Sequence, residues 1–213
     1  AAVAPWPERT KRAITSFAME NVTQGARRYP HWLTVESRLR ERLQKLINAP
    51  QIDDIALLKN TSEALSVIAY GIDWQPGDNL VISNQEFPSN RIVWESLANQ
   101  GVQVKVANLD GPGSPEQAII DCFDSSTRLL SISSVQYASG LKVDCQLLGN
   151  ACKEREILFC IDAIQSIGAH SFDAQAYQAD FVVADGHKWM LGPEGLALFY
   201  SHRDTRDQLP LCQ

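Results

Sequence analysis

The chain has 213 residues, 45% apolar and 21% charged, with 25 acidic against 19 basic side chains for a formal charge of −6. This is the balance of a soluble globular domain large enough to bury a core. Its interspersed, net negative charge excludes the clustered basic face that nucleic acid requires. No run approaches the ~20 apolar residues that span a bilayer, so no membrane partner is expected. The short apolar stretch Ala1–Pro7 lacks the basic lead of a signal peptide.

Five cysteines, Cys122, Cys145, Cys152, Cys160 and Cys212, are odd in number and show no C-x-x-C spacing. They predict small buried hydrophobes in a reducing cytoplasm, with neither a disulfide framework nor a metal site. The chain opens at Ala1-Ala2-Val3 without methionine and stops at Leu211-Cys212-Gln213 just after a strand and a polar turn; a fragment of a longer protein is expected.

Two helices open the chain, over Glu8–Glu20 and Thr34–Ala49. The second carries Val35, Leu39, Leu43, Leu46 and Ile47 on one face at helical spacing, with Glu36, Arg38, Arg40, Glu41 and Lys45 on a solvated face. From residue 52 short β-prone runs recur, at Ile55–Leu58, Leu80–Ser83, Val102–Val106, Leu129–Ser133, Ile157–Ile161, Phe181–Ala184 and Leu196–Tyr200. Helical stretches fall between them at Glu63–Tyr70, Asn90–Asn99, Pro115–Asp121 and Leu147–Arg155, and Asp110–Pro115 is a Gly/Pro turn. Alternating strands and helices predict an α/β fold with a mostly parallel, doubly wound seven-stranded sheet flanked by helices. The segment between the last two runs is too short for a crossover helix, so that pair is expected to be antiparallel.

In such a sheet ligands sit beyond the carboxyl ends of the strands. After the first strand comes Lys59-Asn60-Thr61-Ser62-Glu63, with Thr61 or Ser62 placed to cap the next helix; the same helix start could receive a phosphate. Phe87, held in a loop before Pro88 and a predicted N-cap at Ser89, could stack on a planar ring or plug the core. Asp162 ends a strongly apolar run and must find a cation or hydrogen-bond donors, or else cap a helix; Gln165 would share its crevice. Lys188 lies between His187 and Trp189 on a turn beside an apolar strand. That setting suits a desolvated nucleophile, while His187 also fits a structural role.

Together these segments resemble the class V aminotransferase family, fold type I enzymes dependent on pyridoxal 5'-phosphate (PLP) that include the cysteine desulfurases. The resemblance runs from Ala1-Ala2 through Tyr200. It rests first on Asp185-Gly186-His187-Lys188-Trp189 followed by Gly192-Pro193-Glu194-Gly195, and then on Asp162-x-x-Gln165 upstream. It implies that Lys188 carries PLP as a Schiff base and shuttles the substrate's α-proton. Asp162 would pair with the pyridine nitrogen and Gln165 would bond the ring hydroxyl oxygen. Thr61 and Ser62 would hold the phosphate with help from His187, and Phe87 would stack on the ring. The resemblance further implies a small amino-acid substrate, a homodimer, an N-terminal helical segment (residues 1–50) lining the active site, and a PLP-binding large domain (residues 51–213). The family's smaller C-terminal domain, which supplies an arginine for the substrate carboxylate and, in desulfurases, a cysteine nucleophile, is expected to be absent; Cys212 lies too near the last strand to be that cysteine.

Three positions depart from the desulfurase pattern. Phe87 stands where desulfurases have histidine, Tyr137 where they have asparagine, and Asp185 where a phosphate-binding serine is common, so that an acid would repel phosphate. Phe87-Pro88-Ser89 is instead similar to kynureninase-like and epimerase-like relatives. The expected function is therefore aminotransferase or cysteine desulfurase-like chemistry on an amino acid, with kynureninase-like hydrolysis or epimerisation as the alternative. A non-catalytic dimeric scaffold would not need Lys188, Asp162 and Gln165 together. A dinucleotide binder would need a glycine-rich loop where Asn60-Thr61-Ser62-Glu63 stands.

Overall fold

The computed structural model describes residues 3–209, so Cys212 lies outside the described residues. Helices α1 (Glu8–Gln24) and α2 (Tyr29–Leu46) lead the chain, joined by a 3-10 turn at Gly25–Arg28. Helix α2 starts five residues before its predicted position, because Pro30 falls in the first turn, where its missing N–H leaves no intrahelical bond unmade. Trp32 Nε1 then donates to Glu20 Oε1 at 2.8 Å, and Phe17 meets Trp32 edge-on, tying the two helices together.

The predicted apolar face of α2 is only partly covered. Leu43 and Ile47 are buried and Leu39 packs against the core, but Val35 and Leu46 are exposed. Arg40, expected on the solvated face, instead donates to the Ile55 carbonyl at 3.2 Å and to Glu36 at 2.7 Å. It thereby pins α2 to the first strand.

The strands are β1 (Ile55–Leu58), β2 (Asn79–Ser83), β3 (Gln103–Ala107), β4 (Thr127–Ser133), β5 (Leu158–Asp162), β6 (Phe181–Asp185) and β7 (Ala197–Ser201). Each lies within two residues of its predicted place. They form one seven-stranded sheet in the order β1-β7-β6-β5-β4-β2-β3. The β2–β3, β2–β4, β4–β5 and β5–β6 pairs are parallel, and β7 runs antiparallel to both β6 and β1, as expected for the last pair. Between and after them lie α3 (Thr61–Gly71), α4 (Ser89–Glu95), α5 (Pro115–Ile120), α6 (Cys145–Lys153) and α7 (Arg203–Gln208).

The near-continuous apolar strands reflect burial on both faces. Along β2, Leu80 and Ile82 face a cluster built with Ala64, Leu65 and Ile68 of α3 and with Trp94 of α4. Val81 faces the opposite cluster, with Ile119 of α5 and Leu148 of α6. Each fully buried leucine or isoleucine contributes on the order of 1.5–3 kcal/mol.

The helix starts correct two predicted caps. Asn60, not Thr61 or Ser62, is the N-cap of α3: its extended backbone lets Oδ1 accept from Glu63 N at 2.8 Å. Thr61 is thereby left as the first helical residue. Ser89 makes no capping bond, since α4 begins from a helical Pro88. Helix α4 ends at Glu95 and continues as a 3-10 turn over Ser96–Gln100. No described helix is long and apolar enough to cross a membrane.

Candidate active site

Five strand ends or the turns after them carry the polar residues that the apolar sheet does not use. Asp162, the last residue of β5, is 2% exposed; its Oδ1 accepts from Ile164 N at 3.1 Å. No helix follows it, so it caps a turn and not a helix. Burial foremost, opposed by the Ile164 bond and helped by the nearby charge of Glu86, pushes its carboxyl up to about 7.

Lys188 follows the adjacent strand β6 and is buried. Its pKa is lowered from the usual lysine range by burial, against the opposing charges of Asp162 and Asp185. Lys188 and Asp162 are thus two buried ionisable groups at the ends of adjacent strands, a setting typical of functional sites.

The loop holding Lys188 is fixed on three sides. Gly168, at φ +95°, passes so close that a Cβ would come within 2.4 Å of the Trp189 carbonyl oxygen. Trp189 Nε1 donates to Gln165 Oε1 at 3.3 Å, which places Gln165 beside the lysine loop as its spacing from Asp162 suggested. From the N-terminus, Ala4 N–H donates to the His187 carbonyl at 3.1 Å and Thr10 Oγ1 to the Leu191 carbonyl at 3.3 Å.

His187 Nδ1 lies 3.1 Å from Asp185 Oδ1, but the two are not aligned and neither atom has a hydrogen-bond partner. The acid at position 185 is thus set against an imidazole. At the start of α3, Thr61 is 5% exposed and its Oγ1 is also buried without a partner, while Ser62 is exposed. Strands β1 and β6 both run antiparallel to β7 and so point the same way, which puts the start of α3, just after β1, at the same end of the sheet as Lys188, just after β6. An orphaned hydroxyl at the positive end of a helix is suited to an anion.

Phe87 is 46% exposed and therefore not a core plug. Its ring centroid lies 5.8 Å from Lys188 Nζ, and Tyr137 meets the ring edge-on at 5.2 Å. The structure thus gathers Phe87, Asp162, Gln165, His187 and Lys188 at neighbouring strand ends, with Thr61 and Ser62 on the facing helix start.

Sequence reasoning missed Glu86 and Gln136. Glu86 is 7% exposed and Gln136 1%; they bond each other at 3.0 Å behind the Phe87–Tyr137 pair. The sequence offered only an acid in the loop after an apolar strand, which by itself does not tell a buried carboxyl from a solvated one. A cavity of about 690 Å³ opens at the opposite end of the sheet, among Lys153, Asp180 and His202, and holds none of these residues.

Comparison with known proteins gives the family and the fold. The family model for aminotransferase class-V matches residues 1–213. The chain belongs to the class V aminotransferase family. It is 35% identical over 214 residues to a probable cysteine desulfurase of Methanothermobacter thermautotrophicus, covering 98% of this chain and 53% of that protein. It is 33% identical over 177 residues to a cysteine desulfurase of Pectobacterium carotovorum, covering 81% of this chain and 43% of that one. The chain thus spans about half the length of the curated relatives it matches.

Among solved structures, a lysine-to-alanine variant of C-DES with glycine covalently linked to its PLP cofactor superposes with a TM-score of 0.89 at 20% identity, over 96% of this chain and 56% of that one. An apo cysteine desulfurase from Thermococcus onnurineus gives 0.82 at 22% identity, over 98% and 54%. The fold is therefore that of the large domain of PLP-dependent transferases.

Proposed function

We propose that this chain is the cofactor-binding portion of a PLP-dependent enzyme acting on an amino acid, with cysteine desulfurase-like or aminotransferase chemistry and covalent attachment of the cofactor through Lys188. The observation that carries the reading is the buried Lys188 in the turn after β6, its Nζ set over the Phe87 ring, with the buried carboxyl of Asp162 at the end of the adjacent strand β5. The residues fit the group: the orphaned Thr61 Oγ1 awaits an acceptor or anion, and Asp162 lacks a cationic partner within ion-pair distance among the described residues.

Bound, PLP supplies an electron sink for the electron pair left when a bond to the amino acid's α-carbon breaks. Lys188 Nζ acts as the nucleophile, because burial favours the neutral amine with its free lone pair. The same Nζ then takes and returns the proton at the α-carbon. Asp162 binds the pyridine nitrogen and favours its protonated form. Gln165, with Oε1 taken by Trp189, presents Nε2 to the ring hydroxyl oxygen. Thr61 Oγ1, Ser62 and the first N–H groups of α3 hold the phosphate with His187 beside them, and Phe87 covers one face of the ring.

Residues 1–50 line this site in the same reading, supported by the Ala4 and Thr10 contacts to the lysine loop. A homodimer accounts for α1, which buries no residue and exposes Ile14, Phe17, Met19 and Val22. The four described free thiols fit the reducing cytoplasm. The names of the relatives favour this chemistry over kynureninase-like hydrolysis, epimerisation or a scaffold role.

The test is to supply the PLP-loaded protein with L-cysteine and a thiol reductant, and separately with other amino acids and a 2-oxo acid. Sulfide with alanine, or an amino group moved to the oxo acid, is the expected result. No turnover of any amino acid would overturn the reading.

A further inference from the structure

Glu86 is a buried carboxylate near the site that the chemistry above does not use. Its two oxygens accept from Ser83 Oγ at 2.7 Å, Gln136 Nε2 at 3.0 Å, Ser133 N at 3.1 Å, Ser133 Oγ at 2.6 Å and Asn90 Nδ2 at 2.8 Å. These donors come from the ends of β2 and β4, from α4, and from the turn after β4. Asn90 is itself fully buried, with its Oδ1 accepting from Ser131 Oγ at 2.6 Å and Trp94 Nε1 at 2.9 Å. Among the described residues no cation lies within ion-pair distance of Glu86, and its hydrogen-bond partners are neutral groups.

The network has a direction. Glu86 precedes Phe87, Gln136 precedes Tyr137, and the Glu86–Gln136 bond joins the same two loops whose rings meet edge-on. A second tie, from Ser139 Oγ to Gln85 Oε1 at 2.6 Å, links the same loops nearer the surface. Only a carboxylate can accept at both ends from donors on several segments; an amide would turn its NH₂ group against some of them.

We propose that Glu86 is a positioning residue whose side chain locks the Phe87 loop to the Tyr137 loop and so holds the Phe87 ring in place over Lys188. The part of this concerning cofactor rests on the PLP reading above; the locking of the two loops does not.

Two measurements on Glu86→Gln separate these parts. The first is amide hydrogen exchange on cofactor-free protein. Exchange is expected to rise roughly tenfold, the scale of one lost buried hydrogen bond, in segments 84–88 and 134–140 together, and to stay unchanged in β5 and β6. Unchanged exchange, or loosening of one segment alone, would overturn the proposal. If Glu86→Gln does not fold, Gln136→Ala, which removes the bond between the loops together with the Gln136 bond to the Ser133 carbonyl, must show the same joint loosening.

The second is a double-mutant cycle on PLP affinity with Phe87→Ala. Glu86→Gln is expected to weaken PLP about tenfold in the wild-type background and by much less once Phe87 is gone. Equal weakening in both backgrounds means that Glu86 does not act through Phe87, and refutes the proposal. A wild type that takes up no PLP refutes the cofactor reading instead, and the exchange result then decides the locking of the loops.

Discussion

Lys188 Nζ faces the ring of Phe87 at 5.8 Å from its centroid, and Tyr137 closes on that ring from the side. The amine and the aromatic face come from β6 and β2, which are separated in the sheet by β5 and β4. In the proposed reading a planar group attached to Nζ would lie against Phe87.

Replacing Phe87 by alanine is accordingly expected to raise the dissociation constant for PLP about three- to tenfold, the range of one aromatic stacking contact. Because the ring is half exposed, the stability of the cofactor-free protein should change little. A titration followed by absorbance, with urea unfolding alongside, checks both. A large loss of stability with unchanged affinity would show that Phe87 is a packing residue.

Thr61→Val should separate stability from binding in the opposite sense. The buried Oγ1 has no partner in the cofactor-free protein, so its removal is expected to be neutral or to stabilise by about 1 kcal/mol. The same change should weaken binding of PLP, and of inorganic phosphate as its competitor, several-fold. Destabilisation with unchanged phosphate competition would contradict the assignment of this helix start.

Asp162 makes stability depend on pH. Its folded-state pKa, about 7, lies above the ordinary 3.8. Between these values the folded protein holds more protons than the unfolded chain, so this group's contribution is fully present below about pH 4 and is lost as pH rises through 7. In cofactor-free protein the stability difference between wild type and Asp162→Asn should therefore fall by a few kcal/mol from pH 4 to pH 8. Parallel pH profiles for the two proteins would contradict it.

Gly168→Ala is expected to disturb the site from outside it. A Cβ there meets the Trp189 carbonyl at 2.4 Å and strains a backbone at φ +95°, for a cost on the order of 1–3 kcal/mol. The displaced loop carries Lys188, so covalent capture of PLP should slow as well. Wild-type capture with wild-type stability would show that the loop tolerates the shift.

The strands were legible because they are buried on both faces and so read as unbroken apolar runs bounded by polar turns. Asp162 stood out as a charge placed directly after such a run, and Lys188 as a lysine between His187 and Trp189 in the turn beside another. The start of α2 was hidden by Pro30, which reads as a breaker but is harmless in a first turn. The cap of α3 went to Asn60 because three neighbouring residues could each accept a capping bond and only the backbone angles decide among them. Glu86 was missed because its donors Ser133 and Gln136 lie 47 and 50 residues away in the chain. A solvated acid and a buried one look alike until those segments meet.

The central claim is that Lys188 holds PLP, and the direct measurement is the absorbance spectrum of the protein with added PLP, before and after borohydride, for wild type and Lys188→Ala. The account predicts a visible band in the wild type that borohydride converts to a covalent, non-dialysable adduct on Lys188, and neither band nor adduct in the variant. A wild type that stays colourless, or an adduct formed equally in Lys188→Ala, would contradict it.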